Sequence, residues 1–243
     1  MMKRWIGSVL MLLMLSCLNF SCTPKTRPEK KVEFKRYEIQ SGILEFDVRG
    51  ERQGSETLFF DEWGMREARY SKMQGTVGEA AQDFEQLTVM AGEWITNVDL
   101  KRKEGVKSIN TVYVALKQGV PPESLQSMVV LGPEMMRRLG GQNIGTETIA
   151  GQICELWSVP SFKSTSCLWK GIVLMTEVET EEGKIRSEVR NIQENAAVDP
   201  KRFEIPEGIE VIEDTKLQDF LKTAIDEEKQ STAAPASENR PKA

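Results

Sequence analysis

The sequence predicts a mainly β domain: a curved antiparallel sheet of about nine to eleven strands with one or two helices. Three observations predict it. Leu44, Phe46 and Val48 alternate with Glu45, Asp47 and Arg49, the period of a strand with one buried face. Turn sequences bearing glycine recur at Glu51-Arg52-Gln53-Gly54, Asp61-Glu62-Trp63-Gly64 and Glu181-Glu182-Gly183. Around the last of these, residues 171–180 and 184–192 fold into a hairpin. That hairpin sets Glu177 opposite Arg186, Glu179 opposite Lys184 and Val178 opposite Ile185.

The elements follow in order. The first alternating run, Thr57-Leu58-Phe59-Phe60, and residues 66–71 around Ala68 and Tyr70 make a three-strand meander. Residues 86–90 and 93–100 flank Ala91-Gly92 as two further strands, and Lys101-Arg102-Lys103-Glu104-Gly105 is a solvated tip. Residues 111–116 are β-branched and read as a strand. Phe203 and Ile205, between Pro200 and Pro206, read as a short edge segment, where proline is tolerated. The glutamate row of the 171–192 hairpin is a solvated strand face, not a pair of catalytic acids.

Residues 121–140 break the β pattern. Pro121-Pro122-Glu123 suits a helix start, and Leu125, Met128 and Val129 fall at helical spacing. Met135, Met136 and Leu139 follow Pro133, and Gly140-Gly141 closes the segment. Apolar spacing with three methionines fits a helix packed on the sheet. It also fits a pliable cover over an apolar ligand, formed by Leu125, Met128, Val129, Met135, Met136 and Leu139, because methionine adapts to irregular shapes.

Residues 152–159 and 165–170 form a hairpin with Cys154 and Cys167 on its two arms. A disulfide there would close a loop of about a dozen residues, a structural staple and not a redox motif, since no C-x-x-C spacing is present. Beyond the sheet, Leu217, Phe220, Leu221 and Ala224 mark a short amphipathic helix.

The N-terminus carries the address. Lys3 and Arg4 precede an apolar run from Trp5 to Leu15, a signal-peptide pattern too short for a comfortable span of about 20 residues. Cys17 and Cys22 lie at its end. Their surroundings, Met14-Leu15-Ser16-Cys17 and Leu18-Asn19-Phe20-Ser21-Cys22, resemble the lipobox of bacterial lipoproteins, whose cysteine is diacylated and becomes the new N-terminus. Acylation at Cys22 removes Cys17 with the signal peptide and leaves Cys154 and Cys167 as an even pair, suited to an oxidising compartment. Cys17 is the alternative. Thr23 in place of aspartate implies, by that family's sorting rule, the outer membrane facing the periplasm. The chain thus divides into a signal peptide (1–21), a flexible tether (22–33), the β domain (34–212), a short amphipathic helix (213–227) and a disordered tail (228–243).

Composition narrows the function. Loss of Lys3 and Arg4 with the signal peptide takes the net charge from −5 to about −7, without any basic block, which argues against nucleic acid as a partner. Histidine is absent. That removes the commonest general base and metal ligand, and every Ser-His or Cys-His arrangement. The expectation is a protein with no catalytic residues, no metal and no cofactor.

Meander, helical excursion and closing hairpins, behind a lipid anchor, resemble the LolA/LolB-like periplasmic lipoprotein carrier fold. Its members wrap an open half-barrel around helices and hold acyl chains in the concavity. The stretch from Gly145 through Glu147, Ala150-Gly151 and Cys154 to Trp157, with Trp169-Lys170-Gly171-Ile172, is similar to uncharacterised exported domains related to that fold. The resemblance implies an envelope lipoprotein that binds an apolar ligand such as a lipid or acyl chain. The alternative is an interaction or scaffolding protein that holds another envelope protein through a sheet edge or its C-terminal helix.

Overall fold

The computed structural model describes residues 34–77, 80–117, 132–181 and 183–214. The signal sequence, Cys17, Cys22, the tether, Leu125, Met128, Val129 and the C-terminal helix and tail lie outside the described residues.

The first half of the domain is a meander of six strands: β1 (Gly42–Gly50), β2 (Arg52–Asp61), β3 (Arg66–Val77), β4 (Ala80–Ala91), β5 (Trp94–Asp99) and β6 (Glu104–Ile109). Helices α1 (Thr111–Lys117) and α2 (Pro133–Arg138) come next. The second half contributes β7 (Gln142–Ile149), β8 (Gln152–Val159), β9 (Ser164–Trp169), β10 (Ile172–Glu179) and β11 (Lys184–Glu194), and β12 (Glu210–Glu213) closes the order. All twelve strands join one sheet in the order β12-β6-β5-β4-β3-β2-β1-β11-β10-β9-β8-β7. The mainly β class is as the sequence predicts, with an open sheet whose two end strands, β12 and β7, do not pair with each other.

The meander forms because its alternation is strict. Leu44, Phe46 and Val48 of β1 are buried, and Leu58 and Phe60 of β2 share that face with them. With Tyr37, Ile39, Ile172, Leu174 and Met175, four of these, Leu44, Phe46, Leu58 and Phe60, build the main core. On the opposite face, Ala68, Leu87, Val89 and Val98 are covered by Phe203. The β10–β11 register is the one that charge alternation predicts: Glu177 opposite Arg186, Val178 opposite Ile185, Glu179 opposite Lys184.

Three details are corrected. Residues 111–117 are helical. Asn110 caps them: its Oδ1 accepts from Tyr113 N–H at 3.3 Å and its Nδ2 donates to the Gly92 carbonyl at 3.1 Å. A satisfied cap outweighs the modest strand preference of Val112 and Val114. Phe203 is no edge strand; it ends a 3-10 turn (Pro200–Phe203) capped by Asp199, and it is buried in the cluster of Ala68, Leu87, Val89 and Val98. The strand on that edge is β12, and it pairs parallel to β6, Glu210 through Glu213 against Glu104 through Lys107. The open curved sheet therefore has twelve strands and includes one parallel pair.

The far end of the sheet curls. Arg186 of β11 and Glu147 of β7 approach to 3.4 Å although three strands separate them, which strands about 4.8 Å apart allow only if the sheet bends back on itself. Cys154 and Cys167 form a disulfide there, with Cα atoms 5.4 Å apart. Cys167 faces Leu156 in the ladder, so the bond runs diagonally from β8 to β9 and adds about 2–4 kcal/mol by constraining the unfolded chain.

Candidate functional site

One end of the domain is held by a strap, residues 34–40. Phe34, Tyr37 and Ile39 are buried. Arg36 and Tyr37 N–H both donate to the Trp63 carbonyl at 3.0 Å, and Glu38 N–H donates to the Lys170 carbonyl at 3.1 Å. The strap thereby joins the β2–β3 turn to the β9–β10 turn. Two glycines make room for it. A Cβ at Gly64 (φ +78) would lie 2.5 Å from Tyr37 Cδ2, and one at Gly171 (φ +80) would lie 2.6 Å from the Arg36 carbonyl oxygen. No side chain larger than hydrogen fits at either position.

The strap docks through charge. Glu67 of β3 accepts a hydrogen bond from the Tyr37 hydroxyl and faces Arg36 Nη1 at 3.2 Å. Arg36 Nη1 also donates to the Gly64 carbonyl at 2.7 Å. Burial first, then the Glu67 carboxylate, push the Tyr37 phenol well above the ordinary tyrosine value, so it stays a donor. The neutral phenol's share of stability is complete below about pH 10 and is lost as pH rises above it. Tyr37→Phe is expected to cost about 1–2 kcal/mol at pH 7 and to flatten the alkaline limb of the stability curve above about pH 10, measured by urea titration.

From this point a polar face crosses the sheet. Glu56 of β2 accepts from Arg69 Nη1 at 3.0 Å, Ser71 Oγ at 2.9 Å and Ser187 Oγ at 3.5 Å, and the Arg69 guanidinium lies 5.1 Å above the Phe46 ring. In the register, Leu58, Arg69, Thr88, Asn97, Val106 and Ile212 form one row across β2 to β6 and β12. Gln86, Asp99, Glu104 and Glu210 form the next. At β4, β5, β6 and β12 these two rows are the floor of an open groove of about 550 Å³. Val106 and Ile212 lie in it 41% and 60% exposed, beside the carboxylates of Asp99, Glu104 and Glu210.

The opposite edge is also exposed. No strand among the described residues pairs with the outer side of β7. Ile144 on β7, Ile153 on β8 and Phe162 just beyond it are 54%, 72% and 58% exposed. With Val106 and Ile212 these are the exposed large hydrophobics of the described residues, and all five lie at the two edges of the sheet.

Other residues singled out from the sequence are used structurally. Lys184 and Arg186 bridge to Glu177, and the hydrogen bond from Lys184 holds the Glu177 carboxyl below its usual range. Met136 of α2 is 4% exposed and packs on Trp157, Val159 and Leu168, with Leu139 against the same cluster and Met135 half-buried. The Met136 side chain is committed to the protein's own interior. Glu56, Glu67 and Arg69, which build the polar face, escape sequence reading because alternating charge in a strand looks like solvent exposure.

No family model matches the chain, and no curated protein matches it. Among solved structures it is similar to an uncharacterized conserved protein from Thermus thermophilus, at 10% identity and TM-score 0.46, covering 76% of this chain and 94% of that one. It is also similar to MucB, at 12% identity and TM-score 0.39, covering 75% of this chain and 62% of that one. The Pseudomonas aeruginosa MucA/MucB complex matches at 14% identity and TM-score 0.35, over 71% of this chain and 58% of that one. The chain spans about three fifths of the MucB chains it matches. Likenesses this distant assign neither activity nor partner. Fold and site define a class, a strapped, open, mainly β domain with apolar groups at both sheet edges.

Proposed function

We propose that the chain is a non-enzymatic lipoprotein of the cell envelope, acylated at Cys22, that recruits another envelope protein through the β7 edge. The observation that carries the recruiting role is an eight-residue end strand, Gln142–Ile149, with no neighbour among the described residues on its outer side and Ile144 and Ile153 left in solvent. An unpaired edge offers backbone donors and acceptors to an incoming strand, and exposed isoleucines offer it apolar anchors. A bulge between Asn143 and Gly145 interrupts this edge, so residues 145–149 are its regular pairing stretch. The anchor reading is supported by the basic-apolar-cysteine order of residues 3–22 and by the strap, which begins at Phe34, a dozen residues beyond Cys22. On this reading the domain works on the periplasmic side of the outer membrane.

The test is photo-crosslinking in intact cells from positions 144 and 153, with position 103, in the solvated tip, as control. A single reproducible protein adduct from the edge positions, lost in Ile153→Asp, is the expected result. Equal adduct patterns from all three positions would remove the proposal. The intact mass of the membrane-extracted protein checks the anchor: it should equal residues 22–243 plus acyl groups, less two hydrogens for the disulfide. An acyl chain as ligand is the competing reading. Native mass spectrometry of protein lacking residues 1–22 decides it, with no stoichiometric lipid expected because Met136 already packs on Trp157.

A further inference from the structure

We infer that the groove over β4, β5, β6 and β12 is the docking site for the chain's own C-terminal segment, residues 216–225. This inference does not depend on a partner at the β7 edge. Four observations carry it.

The first is position. β12 lies parallel on β6, and Asp214 N–H still donates to the Lys107 carbonyl at 2.9 Å. The backbone therefore leaves the sheet at the rim of the groove, two residues after Ile212 on its floor. Residue 216 starts within about 7 Å of Asp214, the reach of two extended residues.

The second is pattern. Leu217, Phe220, Leu221, Ala224 and Ile225 fall at i, i+3, i+4, i+7 and i+8, the sequence spacing of one apolar helix face, which over ten residues would extend about 15 Å. Such a face needs apolar cover, and the nearest apolar surface along the chain is Val106 and Ile212.

The third is charge. Asp99, Glu104 and Glu210 line the groove with the single cation Arg102, and neither Glu104 nor Glu210 has an ion-pair partner among the described residues. The segment brings Lys216 and Lys222, with Asp219 between them, to meet this array.

The fourth is tether length. A link this short gives the segment an effective local concentration of at least the order of millimolar, so even a modest groove is filled intramolecularly. Docking of this kind withdraws Val106 and Ile212 from solvent and leaves the β7 hairpin as the remaining apolar edge.

The experiment uses the full mature chain. A benzophenone amino acid at position 220 is photolysed at two protein concentrations, and the adduct is mapped by mass spectrometry. The expected product is an intramolecular link to residues 95–107 or 210–213, with a yield independent of concentration. In parallel, limited trypsin cleavage after Lys222 should be about tenfold faster in Val106→Asp and in the pair Glu104→Lys, Glu210→Lys. Adding Lys216→Glu and Lys222→Glu to the latter pair should restore docking, read as recovery of the crosslink. Val106 is exposed, so its substitution leaves the core intact, and the charge swap reads the contact without touching packing. Links to another face of the domain, concentration-dependent links between two chains, or cleavage unchanged in every variant would each overturn the inference.

Discussion

Phe60→Ala is expected to lower stability by about 4 kcal/mol, measured by urea unfolding of the domain with its disulfide intact. Phe60 is 0% exposed and lies at the junction of three parts of the structure. Its ring meets Tyr37 of the strap edge-on at 5.0 Å and shares the core with Leu44 of β1 and Leu174 of β10. Truncation removes the transfer free energy of the ring and leaves a cavity that neighbours in two strands and a strap cannot close together. The strands are fixed by ladders on both sides, so collapse is limited and the cost falls within the upper range for such changes. The control is Ile153→Ala. That side chain is 72% exposed, and its loss should change stability by no more than about 0.5 kcal/mol. A Phe60→Ala cost under about 1.5 kcal/mol would mean that the strap and β2 do not pack as described.

Glu67→Ala is expected to cost about 3 kcal/mol, because it removes the acceptor shared by Tyr37 and Arg36 while both stay largely buried. The guanidinium then loses its carboxylate and keeps its contact to the Gly64 carbonyl, and the phenol loses its acceptor. Since the side chains of Arg36 and Glu67 retain 14% and 17% exposure, water relieves part of the penalty, which places the value at the low end for a broken buried pair. Glu67→Gln keeps an acceptor for the phenol but not the charge, and about half the loss is expected. The change should be local before it is global. Hydrogen exchange at Arg36 and Tyr37 N–H, which both donate to the Trp63 carbonyl, should quicken ahead of exchange in β1 and β2. Uniform acceleration throughout the sheet would show that the strap does not open by itself.

What the sequence reveals follows from how local the determining interactions are. The β10–β11 hairpin is legible to the residue because its turn is short and its cross-strand charges alternate in sign. The first three strands are legible from a different signal, the alternation of apolar and polar residues, which finds them but not their ends: β2 begins at Arg52 and β3 runs on to Val77. Residues 111–117 mislead because β-branched side chains announce a strand, while the deciding group, Asn110, works through a hydrogen bond to Gly92 that no periodicity contains. β12 is unreadable: four residues laid parallel on β6 depend on a partner about a hundred positions earlier. The groove inherits that difficulty, since Ile212 and Glu210 complete it. The strap is hidden similarly, because Arg36 and Tyr37 acquire their meaning only when the chain brings Glu67 and Gly64 beside them.

The place of β1 in the middle of the sheet has a consequence for how the molecule assembles. Its two neighbours are β2, next along the chain, and β11, so Phe46 waits for Val189 and Leu44 for Ile192, about 145 residues later. A polypeptide emerging from its N-terminus can zip up the first six strands early, yet its greasiest ribbon stays open along one flank until almost the whole domain has appeared. Over that interval the half-made molecule is at its most adhesive, and a holding chaperone has its clearest target along that flank.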